Sequence, residues 1–154
     1  MKTNKLYKLN ACSSARVWVE TQKNPTEAWK NCERGDWMLW LAKRLKVDDK
    51  KLTMAKAMCA KQVEHLMKDQ RSKDALQACF DYVNGKITKE ELNAAADAAD
   101  AAYAAAYAAD AADAAAYAAY ADADAARTSS LRKSADICRE YLTEEVLSKY
   151  KKLR

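Results

Sequence analysis

The sequence predicts an all-α protein, a small helical bundle with one long helix or helical hairpin rich in Ala, Asp and Tyr. Three observations support this class. The 154 residues include only two glycines and one proline, too few for the turns of a β-protein. Apolar residues recur at intervals of three and four, and only ARVWVE at 15–20 alternates as a strand would. Residues 94–126 are alanine interrupted only by Asp and Tyr, and alanine has the highest helix propensity.

The first clear helix start is at Asn24. We predict that residues 1–23 form a polar N-terminal segment and that residues 24–154 form a single helical domain. Asn24 is a capping residue, and the fixed φ of Pro25 suits the first helical position. Glu27 follows three residues after the cap, as in a capping box. A short helix should therefore begin here.

Gly35 and Asp36 are interpreted as a helix stop followed by a new cap. The next helix is expected over about 37–46. It places Trp37 and Trp40 on one face, which predicts a core helix.

Two amphipathic helices should follow, over about 50–68 and about 73–84. Ser72 is interpreted as the cap of the second helix, and Gly85 as its stop.

Thr88 and Glu91 form the clearest local signal, a capping box that starts the helix leading into the alanine-rich segment. A straight helix over 88–126 would be about 58 Å long, whereas a compact globule of this size is about 40 Å across. The helix should therefore protrude or bend, with 110–113 and 127–130 as the predicted places.

Beyond the alanine-rich segment an amphipathic helical pattern resumes at Leu131, Ala135, Cys138 and Leu142. A last short helix is predicted over 144–154.

An Asp/Tyr stripe runs along the alanine-rich segment at spacings of mostly three and four residues, which suit a helix. Its members are Asp97, Asp100, Tyr103, Tyr107, Asp110, Asp113, Tyr117 and Tyr120. One interpretation is the solvated face of a structural helix. The other is a surface that binds a partner protein, since Tyr combines apolar area with a polar tip. The bare alanine face would also suit a second copy of the chain, as in a homodimer.

Charge is unevenly distributed along the chain. Residues 88–126 carry eight carboxylates and one lysine, which gives this segment a net charge of −7. Because the whole chain has a net charge of +5, the remaining residues carry +12. Its Lys and Arg are scattered without a long run, which favours a solvated basic surface over a nucleic-acid site. That surface could still attract an anionic ligand.

Five cysteines stand singly, and their odd number is not typical of a disulfide scaffold. They are Cys12, Cys32, Cys59, Cys79 and Cys138. The N-terminus lacks the apolar core of a signal peptide, and no apolar span is long enough to cross a membrane. We therefore expect a reduced, cytoplasmic protein without a membrane segment.

No motif predicts catalysis, a cofactor or a metal site. His65 is the only histidine, without metal ligands at suitable spacing around it. Residues 84–92 match the second half of a calcium-binding loop, but Phe80 and Tyr82 would occupy positions that need carboxylates. Phosphate-binding glycine loops and nucleophile elbows are also missing. We expect a protein that is not an enzyme.

Four segments together resemble the alanine-rich immunity proteins of bacteria, also called immunity-protein-five-like. They are CERGDWMLWLAKRL at 32–45, ALQACFDYVNGKITKEEL at 75–92, the Ala/Asp/Tyr run at 94–126 and SADICREYL at 134–142. The similarity spans about residues 25–143. This resemblance implies a small helical protein that neutralises a toxin by binding it, without catalysis.

Two functional hypotheses follow. In the first, a non-catalytic binding protein neutralises a toxin or effector protein by occlusion, with the Asp/Tyr stripe as its contact surface. In the second, a phage-type anti-defence protein inhibits a defence component or sequesters an anionic nucleotide signal. The nucleotide would be enclosed by Trp29, Trp37 or Trp40, with its phosphates on Arg34, Lys43 and Arg44.

Overall fold

A computed structural model confirms the all-α class. It describes residues 4–62, 64–67, 69–110 and 120–153, and it describes side chains for 5–62, 64, 65, 67, 69–99 and 127–153. Within these ranges the chain forms eight α-helices and one short 3-10 turn, and contains no strand. None of these helices is long and apolar enough to cross a membrane.

The helices are α1 (Asn4–Lys8), α2 (Ser13–Glu20), α3 (Pro25–Asn31), α4 (Gly35–Arg44), α5 (Asp49–Lys61), α6 (Gln70–Val83), α7 (Lys89–Asp110) and α8 (Tyr120–Lys152), with the 3-10 turn at Glu64–Leu66. The chain divides into two compact units. The first comprises residues 1–55 and 131–154, and the second comprises residues 56–130.

The core of the first unit is built on one face of α8. Ala135, Cys138, Leu142 and Val146 are all at most 1% exposed, and their spacing of three and four residues keeps them on one side of the helix. The apolar pattern predicted from the sequence is thus confirmed for this helix, although Leu131 at its start is only half-buried.

Helix α4 begins at Gly35, so the prediction that Asp36 caps a helix starting at 37 is wrong. A Cβ atom at Gly35 would lie 2.4 Å from Ser134 Cβ and 2.8 Å from the Ala135 backbone nitrogen. Glycine is needed because the start of α4 lies directly against α8, and not because a helix ends there.

The N-terminal segment contributes two helices to the first unit. The alternating pattern at 15–20 lies in α2 and does not form a strand. Val17 is 64% exposed whereas Val19 is buried. Together with Ala15 and Trp18 at helical spacing, Val19 forms the face of α2 that meets the core.

In the second unit, α6 packs against α7. Gly85 lies between them with φ 75°, and the adjacent Lys86 N–H donates to the Asp81 carbonyl at 2.9 Å. This backbone pattern ends α6 in the way that glycine favours, which confirms the predicted stop.

The predicted capping box at the start of α7 is confirmed. The Thr88 N–H donates to Glu91 Oε2 at 2.8 Å, and the Glu91 N–H donates to Thr88 Oγ1 at 3.2 Å. The cap predicted for α6 is wrong, because Asp69 accepts from the Arg71 N–H at 2.8 Å and Ser72 lies inside the helix.

Two long helices differ in extent from the prediction. Helix α5 ends at Lys61 instead of about residue 68. Helix α8 continues through 127–130, one of the two places considered for a bend. It also includes 144–152, which the sequence predicts as a separate helix. The other place considered for a bend, 110–113, falls mostly outside the described residues.

Candidate functional site

A cavity in the first unit gathers all four tryptophans of the chain. Its volume is about 400 Å³. The lining residues are Leu6, Asn10, Ala11, Cys12, Ala15, Trp18, Val19, Pro25, Ala28, Trp29, Cys32, Asp36, Trp37, Met38, Trp40, Leu41, Val146, Leu147 and Tyr150. Helices α1 to α4 and the last turns of α8 thus supply its walls.

The walls of this cavity are almost entirely apolar. Asp36 is the one carboxylate among the lining residues, and Asn10 is the one amide. Both side chains are exposed, which places them towards the mouth. Small-molecule sites typically measure about 300 to 1,000 Å³ and combine apolar walls with a few polar groups. The cavity has the size and composition of such a site.

Trp29 is held in the wall by the position of its helix, α3, and by a hydrogen bond from its indole to α8. Asn24 Oδ1 accepts from the Glu27 N–H at 2.9 Å, so the predicted cap of α3 is confirmed. The Trp29 indole Nε1 donates to Thr143 Oγ1 on α8 at 2.8 Å. Because its polar atom is satisfied, the buried indole presents only apolar surface to the cavity.

Trp18 and Trp37 form an aromatic pair on the wall. Their ring centroids lie 6.2 Å apart with a 59° angle between the ring planes. Tilted pairs at this separation are favourable beyond the area that they bury. The pair joins α2 to α4 beside the cavity.

Arg34 and Asp36 form an ion pair beside Trp37. Arg34 Nη2 lies 2.6 Å from Asp36 Oδ2, and Nε lies 2.9 Å from Oδ1. The guanidinium also stacks over Trp37, 4.4 Å from the ring centroid. This side-chain hydrogen bonding holds the pKa of Asp36 below its usual range, so the carboxylate is ionised at neutral pH and neutralises Arg34 locally.

The residues predicted for a nucleotide site are only partly brought together. Trp37 and Trp40 line the cavity, whereas Lys43 and Arg44 are exposed and are not part of its lining. The Arg44 guanidinium lies 5.6 Å from the centroid of the Trp40 ring.

Tyr150 lies in the wall and carries a buried hydroxyl. The side chain lines the cavity and is 6% exposed, and its buried hydroxyl has no hydrogen-bond partner among the described residues. Burial raises the pKa of Tyr150, so the hydroxyl stays protonated. Lys5 Nζ lies 5.4 Å from the ring centroid and donates to the Tyr150 backbone carbonyl at 3.1 Å.

Two thiols also line the cavity, the exposed Cys12 and the buried Cys32. Burial raises the pKa of Cys32, which disfavours the reactive thiolate. In the part of the chain that the structure describes, no group of three or more His, Cys, Asp or Glu side chains could hold a metal ion. The chemistry of the cavity is therefore that of apolar binding with a few hydrogen-bonding groups.

The Asp/Tyr stripe lies mostly outside the described side chains. Asp97 is exposed on α7. The backbones of Asp100, Tyr103, Tyr107 and Asp110 lie in α7, and that of Tyr120 begins α8, but their side chains are outside the described set. Asp113 and Tyr117 fall outside the described residues altogether. The stripe as a contact surface stays a prediction.

Sequence reasoning missed Trp18 and Tyr150 as site residues. Signals for both were present. Ala15, Trp18 and Val19 have the spacing of one helical face, and so do Val146, Leu147 and Tyr150.

No protein family, curated protein or solved structure matches this chain. The resemblance to the immunity proteins therefore stays a prediction.

Proposed function

We propose that this protein is a non-catalytic binding protein that holds a small, neutral, mainly apolar molecule in the cavity of its first unit. The observation that supports this most directly is the position of the tryptophans. All four line one cavity of about 400 Å³. Moving apolar ligand surface from water into such a site gains about 25 cal/mol per Å².

A neutral ligand is favoured over an anionic one by the charges around the cavity. Asp36 is the one carboxylate among its lining residues, and Arg34 beside it is already paired with that carboxylate. Lys43 and Arg44 are not part of the lining. A phosphate entering the cavity would meet the Asp36 carboxylate and an arginine that is already paired with it. This repulsion argues against the nucleotide hypothesis.

A fluorescence titration of the full chain tests the proposal. The probe is a neutral phenylnaphthylamine, which absorbs where tryptophan emits. Binding inside the cavity should quench tryptophan emission and sensitise probe emission at a ratio of one probe per chain.

Two matched variants locate the binding. Ala15→Phe introduces a bulky ring on α2 at a residue that lines the cavity, and we expect it to weaken binding about tenfold or more by filling the space. Val17→Phe places the same ring on the exposed face of that helix and should leave the affinity unchanged. A wild-type protein that does not bind the probe, or equal weakening by both variants, would overturn the proposal.

Native mass spectrometry adds an independent reading of the occupant. A retained ligand of a few hundred daltons would support the proposal. A stoichiometric protein whose capture is lost in Ala15→Phe and kept in Val17→Phe would instead show that a partner side chain fills the cavity.

Neutralisation of a toxin or effector protein is a separate proposal, which rests on the Asp/Tyr stripe. Its support is the exposure of Asp97 on α7 and the net charge of −7 over residues 88–126. The two proposals use different surfaces, so each can be tested alone.

A further inference from the structure

Three parts of the sequence that are far apart meet at one end of the first unit. Helices α4 and α8 lie side by side and run in the same direction. Gly35 at the start of α4 lies against Ser134, and the Lys149 ammonium near the end of α8 donates to the Lys46 carbonyl just beyond α4. Helix α1 reaches the same end, because Lys5 donates to two backbone carbonyls in the last turn of α8 at 3.1 and 3.3 Å.

This arrangement gathers cations that the sequence disperses. We name the group the basic end, and its members are Lys5, Lys43, Arg44, Lys46, Lys149, Lys151 and Lys152. Lys5 and Lys149 donate to carbonyls close to the ends of helices, which is a common structural role for a cation. The other five members are exposed. Among the described residues, no carboxylate forms an ion pair with any of these five.

The carboxylates nearest the basic end are already engaged. Glu145 lies 3.2 Å from the Lys149 ammonium and 3.8 Å from that of Lys51, so one carboxylate serves two lysines. Asp48 accepts a hydrogen bond from the Lys51 backbone N–H at 3.0 Å. The first unit as a whole carries nineteen Lys and Arg against ten Asp and Glu, a net charge of +9. The basic end is therefore a positive patch in a positive unit.

An exposed aromatic ring lies on the same short helix as Lys5. Tyr7 is 54% exposed, and the Arg16 guanidinium stacks over its ring at 4.3 Å from the centroid. Arg16 is itself held by a hydrogen bond to the Ala11 carbonyl. In the described part of the chain, Tyr7 and Val17 are the only large apolar side chains that are exposed. The ring is thus held in place and open to solvent.

We propose that the basic end binds the phosphate backbone of a single-stranded nucleic acid and that Tyr7 stacks on one of its bases. Unpaired lysines and arginines bind phosphates because the contact releases condensed counterions. Sites for single strands combine such cations with an exposed aromatic ring, since unpaired bases are free to stack on it. An anionic membrane fits less well, because binding at its surface also uses a broad apolar face. This surface is separate from the tryptophan cavity, whose lining contains none of the basic end.

Fluorescence anisotropy of a labelled oligothymidine of about twenty nucleotides, titrated with the full chain, tests the proposal. The basic-end variant combines Lys46→Gln, Lys151→Gln and Lys152→Gln. We expect it to bind about tenfold or more weakly at low salt. The slope of log affinity against log salt should fall by about 2, since each phosphate contact on a single strand contributes about 0.7.

A matched control changes three other exposed lysines of the same unit, Lys23→Gln, Lys30→Gln and Lys133→Gln. Its net charge equals that of the basic-end variant, so any difference between the two reports contact and not overall charge. The control should keep the salt slope of wild type. Thermal unfolding verifies that both variants are folded.

Tyr7→Leu separates stacking from charge. This variant should bind oligothymidine about fivefold or more weakly and should bind inorganic polyphosphate, which has no bases, as wild type does. Equal weakening for both probes would show that Tyr7 does not stack on a base.

Three results would overturn the proposal. They are a wild-type protein that does not bind oligothymidine at low salt, equal losses in the basic-end variant and its control, and tighter binding to phosphatidylserine vesicles or polyglutamate than to oligothymidine. The last result would assign the basic end to a membrane or an acidic protein. The basic-end variant should bind phenylnaphthylamine as wild type does, so failure of this proposal and failure of the cavity proposal are seen separately.

Discussion

The indole Nε1 of Trp29 donates a hydrogen bond of 2.8 Å to the hydroxyl of Thr143, 114 positions further along the chain. The same hydroxyl donates to the backbone carbonyl of Arg139 at 2.5 Å. The threonine thus serves as acceptor and donor at once, and it ties α3 to α8 beside the cavity. Trp29 owes its position in the wall to this contact as well as to its burial.

Thr143→Val should destabilise the protein by about 1–3 kcal/mol, because the indole N–H of the buried Trp29 loses its hydrogen-bond acceptor while the side-chain volume is kept. Thr143→Ser keeps the hydroxyl and should recover most of that loss. Urea unfolding followed by tryptophan fluorescence measures both variants. Equal stability of Thr143→Val and wild type would show that water replaces the threonine at no cost.

Gly35→Ala should also destabilise the protein, by about 1–3 kcal/mol. Helix propensity alone predicts the opposite sign, since alanine is about 0.5–1 kcal/mol better than glycine within a helix. The added Cβ would lie 2.7 Å from the Ser134 backbone carbon and 2.8 Å from the Ala135 nitrogen, so α8 would have to shift. Urea unfolding measures whether the free energy of unfolding falls or rises in Gly35→Ala. An increase would contradict the close approach of α4 to α8.

Local signals in the sequence were sufficient for some elements and not for others. The caps at Asn24 and Thr88 depend on atoms within four residues, so the sequence alone could locate them. The local sequence predicts a helix stop at Gly35, because glycine commonly ends helices. Its actual reason is the backbone at Ser134, a contact that no local pattern contains.

The cavity could be anticipated only in part for the same reason. The spacing of Trp37 and Trp40 places them on one face of a helix, and both line the cavity. Trp18 and Tyr150 join them only because α2 and the end of α8 converge in the folded chain. The nucleotide hypothesis places phosphates on Lys43 and Arg44, but neither side chain is part of the lining.

Tyr150 should make the protein sensitive to alkaline pH. Because burial raises its pKa above the usual value of about 10, the folded chain holds the phenol proton more tightly than the unfolded chain does. Its contribution to stability is therefore complete below about pH 10 and is lost as pH rises from there through the folded-state pKa. Urea unfolding at increasing alkaline pH should show a smaller loss of stability for Tyr150→Phe than for wild type. Parallel losses would contradict the burial of the hydroxyl.

Asp36→Asn should change the charge preference of the cavity. Removing the carboxylate leaves the Arg34 guanidinium uncompensated over Trp37. Affinity for an anionic anilinonaphthalene sulfonate should rise about threefold to tenfold relative to the neutral phenylnaphthylamine, and added salt should reduce that gain. Asp136→Asn is the control, because it breaks the ion pair with Arg139 away from the cavity. The same gain in both variants would mean that net charge, and not Arg34, attracts the anion.

Reversal of charge in the Asp/Tyr stripe tests the inhibitor hypothesis. Asp100→Lys combined with Asp110→Lys should abolish capture of a partner protein if the stripe is its contact surface, since like charges would then face the basic partner that the stripe implies. Glu20→Lys combined with Glu144→Lys makes the same change in net charge at exposed positions elsewhere in the chain.

The three proteins are compared by affinity capture from a bacterial lysate, with the captured proteins identified by mass spectrometry. Native mass spectrometry of each preparation also counts the copies of the chain, so a homodimer that depends on this segment would be detected. A partner captured by wild type and the control but not by the stripe variant would support occlusion. Identical capture by all three would show that the stripe is a solvated face, because a contact surface cannot tolerate reversal of two of its charges without loss of affinity.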